Sequence, residues 1–136
     1  MITLKAITLT FAICKLSPDT LLRQGYEGQA PIPDWVWQSS LYAITKTTDE
    51  LSLVCEQDKV IPHPDMKQEN DWKCLQVVGP LDFSLTGILS SIAQPLAENK
   101  ISIFAISTYD TDYILVKKEK FEEAQAVLKK NGFNIV

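Results

Sequence analysis

The sequence predicts an α+β fold: a ferredoxin-like βαββαβ module in the second half, preceded by a related but degenerate half, with antiparallel sheets and the helices on one face. Three observations predict it. From Lys73 to Val136 the apolar spacing alternates between period two and helical period in the order strand, helix, strand, strand, helix, strand. A hairpin pattern between Leu41 and Glu56 precedes this module and resembles the hairpin inside it. The chain has 136 residues, 46% hydrophobic and 22% charged, enough for a core shared by two small halves and too few for a long lid. The expected division is residues 1–71 and 72–136.

The elements follow in order. Leu4 to Cys14 alternates loosely around Thr8 and Thr10 and reads as a strand. Pro18, Gly25, Gly28, Pro31 and Pro33 then break the pattern as far as Gln38, leaving at most a turn of helix near Asp19 to Arg23. Trp35 and Trp37, two apart in a segment read as extended, would lie on one side of it and cover core. Leu41–Lys46 and Glu50–Glu56 form a hairpin turned by Thr47, Thr48 and Asp49. Gln57 to Asp71 is polar, contains Pro62 and Pro64, and reads as a surface loop before the strand Lys73–Val78.

Gly79-Pro80 ends that strand, and Asp82 or Ser84 is placed to cap a helix whose apolar face is Leu85, Ile88, Leu89, Ile92 and Leu96. Pro95 should kink or fray its last turn. Strands Ile101–Ser107 and Asp112–Lys117 pair through a tight turn. Glu119–Lys130 is an amphipathic helix with acids leading, lysines trailing and Asn131-Gly132 as its stop. Phe133–Val136 supplies a last strand.

Ser40–Glu56 can be laid on Ser102–Lys118 without a gap, at a constant offset of 62. Ser40/Ser102, Ala43/Ala105, Ile44/Ile106, Leu53/Leu115 and Val54/Val116 are then identical. Two homologous hairpins would give this match, and so would the alternation that any two amphipathic hairpins share. On the first reading the N-terminal half lost its first helix to the Gly/Pro-rich stretch from Ser17 to Pro33.

Composition excludes several functions. No apolar run reaches the roughly 18 residues of a membrane helix, and Thr residues interrupt the opening stretch, which reads as strand rather than signal peptide. The net charge of -4, without a basic patch or an aromatic RNP pattern, argues against nucleic acid as a partner. Cys14, Cys55 and Cys74 are odd in number, far apart and each set in an apolar strand, which indicates small core residues in a reducing cytoplasm rather than disulfides or a metal site. The one histidine, His63, stands between prolines in a polar loop and has no nucleophile or metal-ligand partner at motif spacing. There is no glycine loop for a nucleotide. The expectation is a non-catalytic protein without cofactor or metal.

The stretch GPLDFSLTGILSSIAQPLAENKISIFAISTYDTDYILVK, Gly79 to Lys117, resembles the ACT domains of a small bacterial family of tandem-ACT proteins. It is also similar to the ACT modules of the CASTOR arginine sensor and, more distantly, of aspartate kinase. The resemblance implies a regulatory module that binds an amino-acid-like small molecule at an interface between ACT modules, where the loop before the first helix meets an exposed strand of the partner module. It also implies a homodimer, as does the need to cover sheet edges.

The residues nominate the parts of such a site. The first turn of the helix, with Leu81, Asp82, Phe83, Thr86 and Gly87 around it, offers backbone N–H groups and a positive dipole end to a carboxylate. Asp82 either caps that helix or turns toward the ligand's ammonium. Thr108, Asp110, Thr111 and Asp112 at the hairpin tip can receive a cationic group, or they are ordinary turn residues. Ile101, Ser102 and Ile103 can present backbone groups, with side chains that are also plain sheet core. The alternative function is a ligand-free adaptor or self-association module.

Overall fold

A computed structural model describes residues 2–18, 32–79 and 86–136. The strands are β1 (Thr3–Leu16), β2 (Ala43–Lys46), β3 (Leu51–Glu56), β4 (Lys67–Val77), β5 (Ile103–Ser107), β6 (Asp112–Lys117) and β7 (Asn134–Ile135). The α-helices are α1 (Ile88–Glu98) and α2 (Phe121–Lys130), and short 3-10 helices stand at Asp34–Gln38, Gln57–Lys59 and Lys118–Lys120. The chain divides into two units, Met1–Leu9 with Trp72–Val136, and Thr10–Asp71, and it passes between them inside β1 and at the junction Asp71/Trp72 inside β4.

In the C-terminal unit the strand order is β7-β1-β4-β6-β5. β6 pairs antiparallel with both β4 and β5. Leu75 and Val77 of β4 and Ile114 and Val116 of β6 alternate onto one face, where they meet Ile92 and Leu96 of α1 and Ala124 and Leu128 of α2. Both helices therefore lie on that one face, as expected of the ferredoxin-like order. Each fully buried Leu or Ile there contributes about 1.5–3 kcal/mol.

One strand departs from the expectation. A ferredoxin-like module alone would set its last strand beside its first, yet residues 3–9 of β1 lie between β7 and β4, and β7 pairs with β1 in parallel, Thr3 opposite Asn134. The sheet is thus not antiparallel throughout. β1 reaches this position because it is 14 residues long, against a usual strand of about 5–6. The boundary at 71/72 differs from the observed division in the same respect, since residues 1–9 belong with 72–136.

The N-terminal unit has the order β2-β3-β1, all antiparallel. Ala12, Cys14 and Leu16 face the core with Leu51 and Leu53, and Val36 packs on them from the 3-10 helix. This segment is helical rather than extended. At about three residues per turn, Trp35 and Trp37 point to different sides, so Trp35 covers the core while Trp37 is 52% exposed, edge-on to Tyr42 at 5.4 Å. The expected turn of helix at Asp19 to Arg23 lies outside the described residues. β4 begins at Lys67, six residues before the expected Lys73, because its first residues are polar and mostly exposed and carry no apolar alternation.

The two units are repeats, but at a different offset from the sequence match. The pair Phe11↔Glu56 of β1 and β3 becomes Trp72↔Lys117 of β4 and β6 when each number rises by 61. The pair Lys46↔Leu51 becomes Ser107↔Asp112 by the same 61, and the 3-10 helix Gln57–Lys59 becomes Lys118–Lys120. The identities at offset 62 therefore join residues that are not structural equivalents. A one-residue slip between two amphipathic hairpins keeps apolar types in plausible pairs while reversing their faces.

Helix ends follow local chemistry. In α2 the N–H of Phe133 donates to Leu128 O (3.1 Å) and that of Gly132 to Lys129 O (3.1 Å), the two bonds of a Schellman closure with Gly132 at φ 92. α1 closes in the same way, Ile101 to Leu96 O and Lys100 to Ala97 O, both 2.9 Å. This closure holds the last turn of α1 intact to Glu98 although Pro95 lies within it, so the expected fraying does not occur. No helix among the described residues is long and apolar enough to cross a membrane.

Candidate functional site

α1 begins at Gly87, whose φ of 80 is open to glycine and costly for an L-residue. A Cβ there would meet only Ser90 Oγ, at 3.9 Å, so the dihedral and not crowding requires glycine. Gly87, at the N-cap, has no side chain with which to cap the helix, and the first turn holds no acid. The nearby hydroxyls turn backward instead: Ser90 Oγ donates to Gly87 O at 3.0 Å and Ser91 Oγ to Ile88 O at 2.6 Å. Both hydroxyls are spent on carbonyls, and the first-turn amides carry the positive end of the helix dipole. Asp82 and Ser84, the expected caps, lie outside the described residues together with Leu81, Phe83 and Leu85.

The β5–β6 turn reaches the same end of the sheet. Thr111 Oγ1 donates to Val77 O, the last residue of β4, from which the chain departs toward α1. Within the turn, Thr108 Oγ1 donates to Thr111 O (3.0 Å) and accepts from Thr111 N–H (3.2 Å). Ser107 Oγ donates to Asp112 Oδ1 at 2.6 Å. Asp110 and Tyr109 are exposed at the tip.

Thr86 and Gly87 thus share one end of the unit with Thr108, Asp110, Thr111 and Asp112. Ile101, Ser102 and Ile103 do not join them. Ile101 closes the far end of α1 and is buried, Ser102 is exposed, and Ile103 pairs with Val116. The eleven residues of α1 separate the two groups by roughly 16 Å within one chain.

The titratable core behaves as the sequence suggests for the thiols. Burial pushes Cys14 up to about 11 and Cys55 and Cys74 up to about 12, so all three remain thiols at neutral pH. His63 Nδ1 accepts the Asp65 N–H at 3.1 Å in its loop.

Three features carry no signal in the sequence. Glu56, 9% exposed, accepts the Ser40 N–H at 2.6 Å and the Ser40 hydroxyl at 3.2 Å. Lys73 Nζ donates to the successive carbonyls of Thr8 and Leu9, both at 2.9 Å. A cleft of about 500 Å³ lies beside α1, lined in part by Ser91, Gln94 and Glu98. Each joins segments distant in the chain, which no local motif records.

Comparison with known proteins agrees with this architecture. A family model described as the ACT domain matches residues 67–130, and a second, described as an N-terminal domain, matches residues 10–63. A protein of Agobacterium tumefaciens of known crystal structure is 32% identical, with a TM-score of 0.84 over 99% of this chain and 92% of that one. The bovine protein named cytosolic arginine sensor for mTORC1 subunit 1 is 31% identical over 87 residues, 57% of this chain and 26% of the sensor. The matches cover between 26% and 54% of the first curated relatives. The regulatory subunit of aspartate kinase from Thermus thermophilus, at 10% identity, shares the fold with a TM-score of 0.61 over 93% of this chain and 96% of that one. Residues 67–130 of the chain belong to the ACT-domain family.

Proposed function

We propose that this chain is a non-catalytic regulatory module that binds an amino-acid-like small molecule where ACT modules of two copies meet. The observation that carries the reading is the start of α1 at Gly87, whose first-turn N–H groups lie at the same sheet end as the acidic turn Thr108–Asp112. A zwitterion presents a carboxylate, which suits helix N–H groups, and an ammonium, which suits Asp110. Ile101–Ile103 of a second copy would supply the exposed strand, which fits their distance from Gly87 within one chain. Membership of the ACT family supports the reading, as do an arginine sensor and an aspartate kinase regulatory subunit among its relatives. We place the protein in the cytoplasm, with Thr10–Asp71 and Met1–Leu9 plus Trp72–Val136 as its two ACT-like parts.

A second reading, a ligand-free self-association module, is favoured by one observation: Thr108, Thr111 and Asp112 already spend their side chains inside the chain. Thermal denaturation in the presence of each of the twenty amino acids separates the two, because a ligand of the native state raises the melting temperature. A rise with one or two amino acids, lost in Gly87→Val, is expected. No rise at about 10 mM, roughly the weakest affinity such a screen can read, would leave self-association as the function.

A further inference from the structure

We propose that the C-terminal unit carries a separate ligand site, for a small organic cation bearing N–H donors on a short apolar stem, in the cleft between the flank of α1 and the end of α2. Its volume of about 500 Å³ falls within the range of small-molecule sites. It shares no residue with the site proposed at Gly87 and the 108–112 turn.

The floor is apolar. Pro95 and Phe133, both buried, and Ile2 supply it. The rim is polar, rich in acceptors and negatively charged through Glu98. Ser91, Gln94 and Glu98 stack along one flank of α1 at helical spacing, with Asn131 among the lining residues at the end of α2.

The Ser91 hydroxyl proton and one N–H of each amide are already used within the protein. Ser91 Oγ donates to Ile88 O, Asn131 Nδ2 to Val127 O at 2.8 Å, and Gln94 Nε2 to Glu98 Oε1 at 3.3 Å. The amide oxygens of Gln94 and Asn131, the Ser91 lone pairs and the Glu98 carboxylate remain as acceptors. Glu98 is the one formally charged group among the described lining residues, which include no lysine, arginine or histidine. The last turn of α2, ending at Asn131-Gly132, adds the negative end of a helix dipole. An anion would meet the Glu98 carboxylate and no lysine, arginine or histidine among the described lining residues. An ammonium or guanidinium group finds several acceptors, and its stem finds the Pro95–Phe133 floor.

The test is a titration of the 15N-labelled chain with n-propylguanidinium, followed by amide chemical shifts, with n-propylurea as the neutral isostere. Shifts at Gly132 and Phe133 and at the side-chain amides of Gln94 and Asn131 are expected, with weaker binding at higher salt. Glu98→Gln should raise the dissociation constant about tenfold, the effect of one charge-assisted contact. Gly87→Val should leave this titration unchanged even if it abolishes amino-acid binding, so the two sites fail or stand separately. Absence of shifts at about 20 mM, an equal response to n-propylurea, or an undiminished response in Glu98→Gln would each overturn the proposal.

Discussion

Lys100 stands at φ 57, the position in the closure of α1 that Gly132 fills, at φ 92, in the closure of α2. The left-handed conformation costs an L-residue about 1–2 kcal/mol, and glycine's extra freedom in the unfolded chain returns part of that. Lys100→Gly should therefore stabilise the protein by about 0.5–1 kcal/mol, and Gly87→Ala should destabilise it by about 1 kcal/mol; urea unfolding reads both. Glu56 has a different signature. The Ser40 N–H above all, opposed by burial and helped by the Ser40 and Ser39 hydroxyls, holds its carboxyl below the ordinary value of 4.5. The unfolded chain then binds the proton more readily than the folded one, so this contribution is complete above the unfolded pKa and fades as pH falls through the folded one. Urea midpoints of Glu56→Gln should fall less than those of the parent between about pH 5 and pH 3.

At the scale of elements, the two hairpin turns use one chemistry. Thr47 Oγ1 accepts the Glu50 N–H at 3.1 Å while Thr47 N–H donates to Glu50 O at 2.9 Å. Thr108 and Thr111 repeat this 61 positions later, at 3.2 and 2.8 Å. Thr47→Val and Thr108→Val should each cost about 0.5–1.5 kcal/mol, and similar losses in urea unfolding would confirm that the turns are equivalent in energy as well as in geometry. Turns, hairpins and α2 were legible in the sequence because their determinants are local: Thr and Asp in the tips, Glu122 and Glu123 leading α2, Gly132 ending it. The start of β4 was not, because Lys67 to Asp71 is polar, and Asp71 takes φ 66 through contacts with Gln57, fourteen residues away. The register of the repeat was hidden by alternation itself. Half of the candidate site was legible too: the chemistry of Gly87 and of the 108–112 turn could be read, whereas the cleft joins α1 to residues more than thirty positions away.

For the whole molecule, the decisive feature is that β1 serves both units. Its residues 10–16 pair with β3, while residues 3 and 4 pair with β7. Asn134 N–H donates to Ile2 O and Val136 N–H to Leu4 O, at 3.0 and 2.9 Å. Leu4 is fully buried in the cluster beneath both helices, and Val78 N–H donates to Thr3 O at 2.9 Å. A fragment of residues 72–136 would keep all six elements of the ferredoxin-like order and lose the strand on which its last one is laid. β7 would lose its partner, β4 would gain an open edge, and the core would lose Leu4, a change that costs about 2–5 kcal/mol when such a side chain is merely truncated. Domain stabilities run about 5–15 kcal/mol and are lower for so short a chain. The fragment should therefore show no cooperative thermal transition by circular dichroism, while a chain that joins residues 1–9 to 72–136 through a flexible linker should recover one. A cooperative transition in residues 72–136 alone would mean that β4 and β7 can pair directly, and that the first strand was added to a module already able to stand without it.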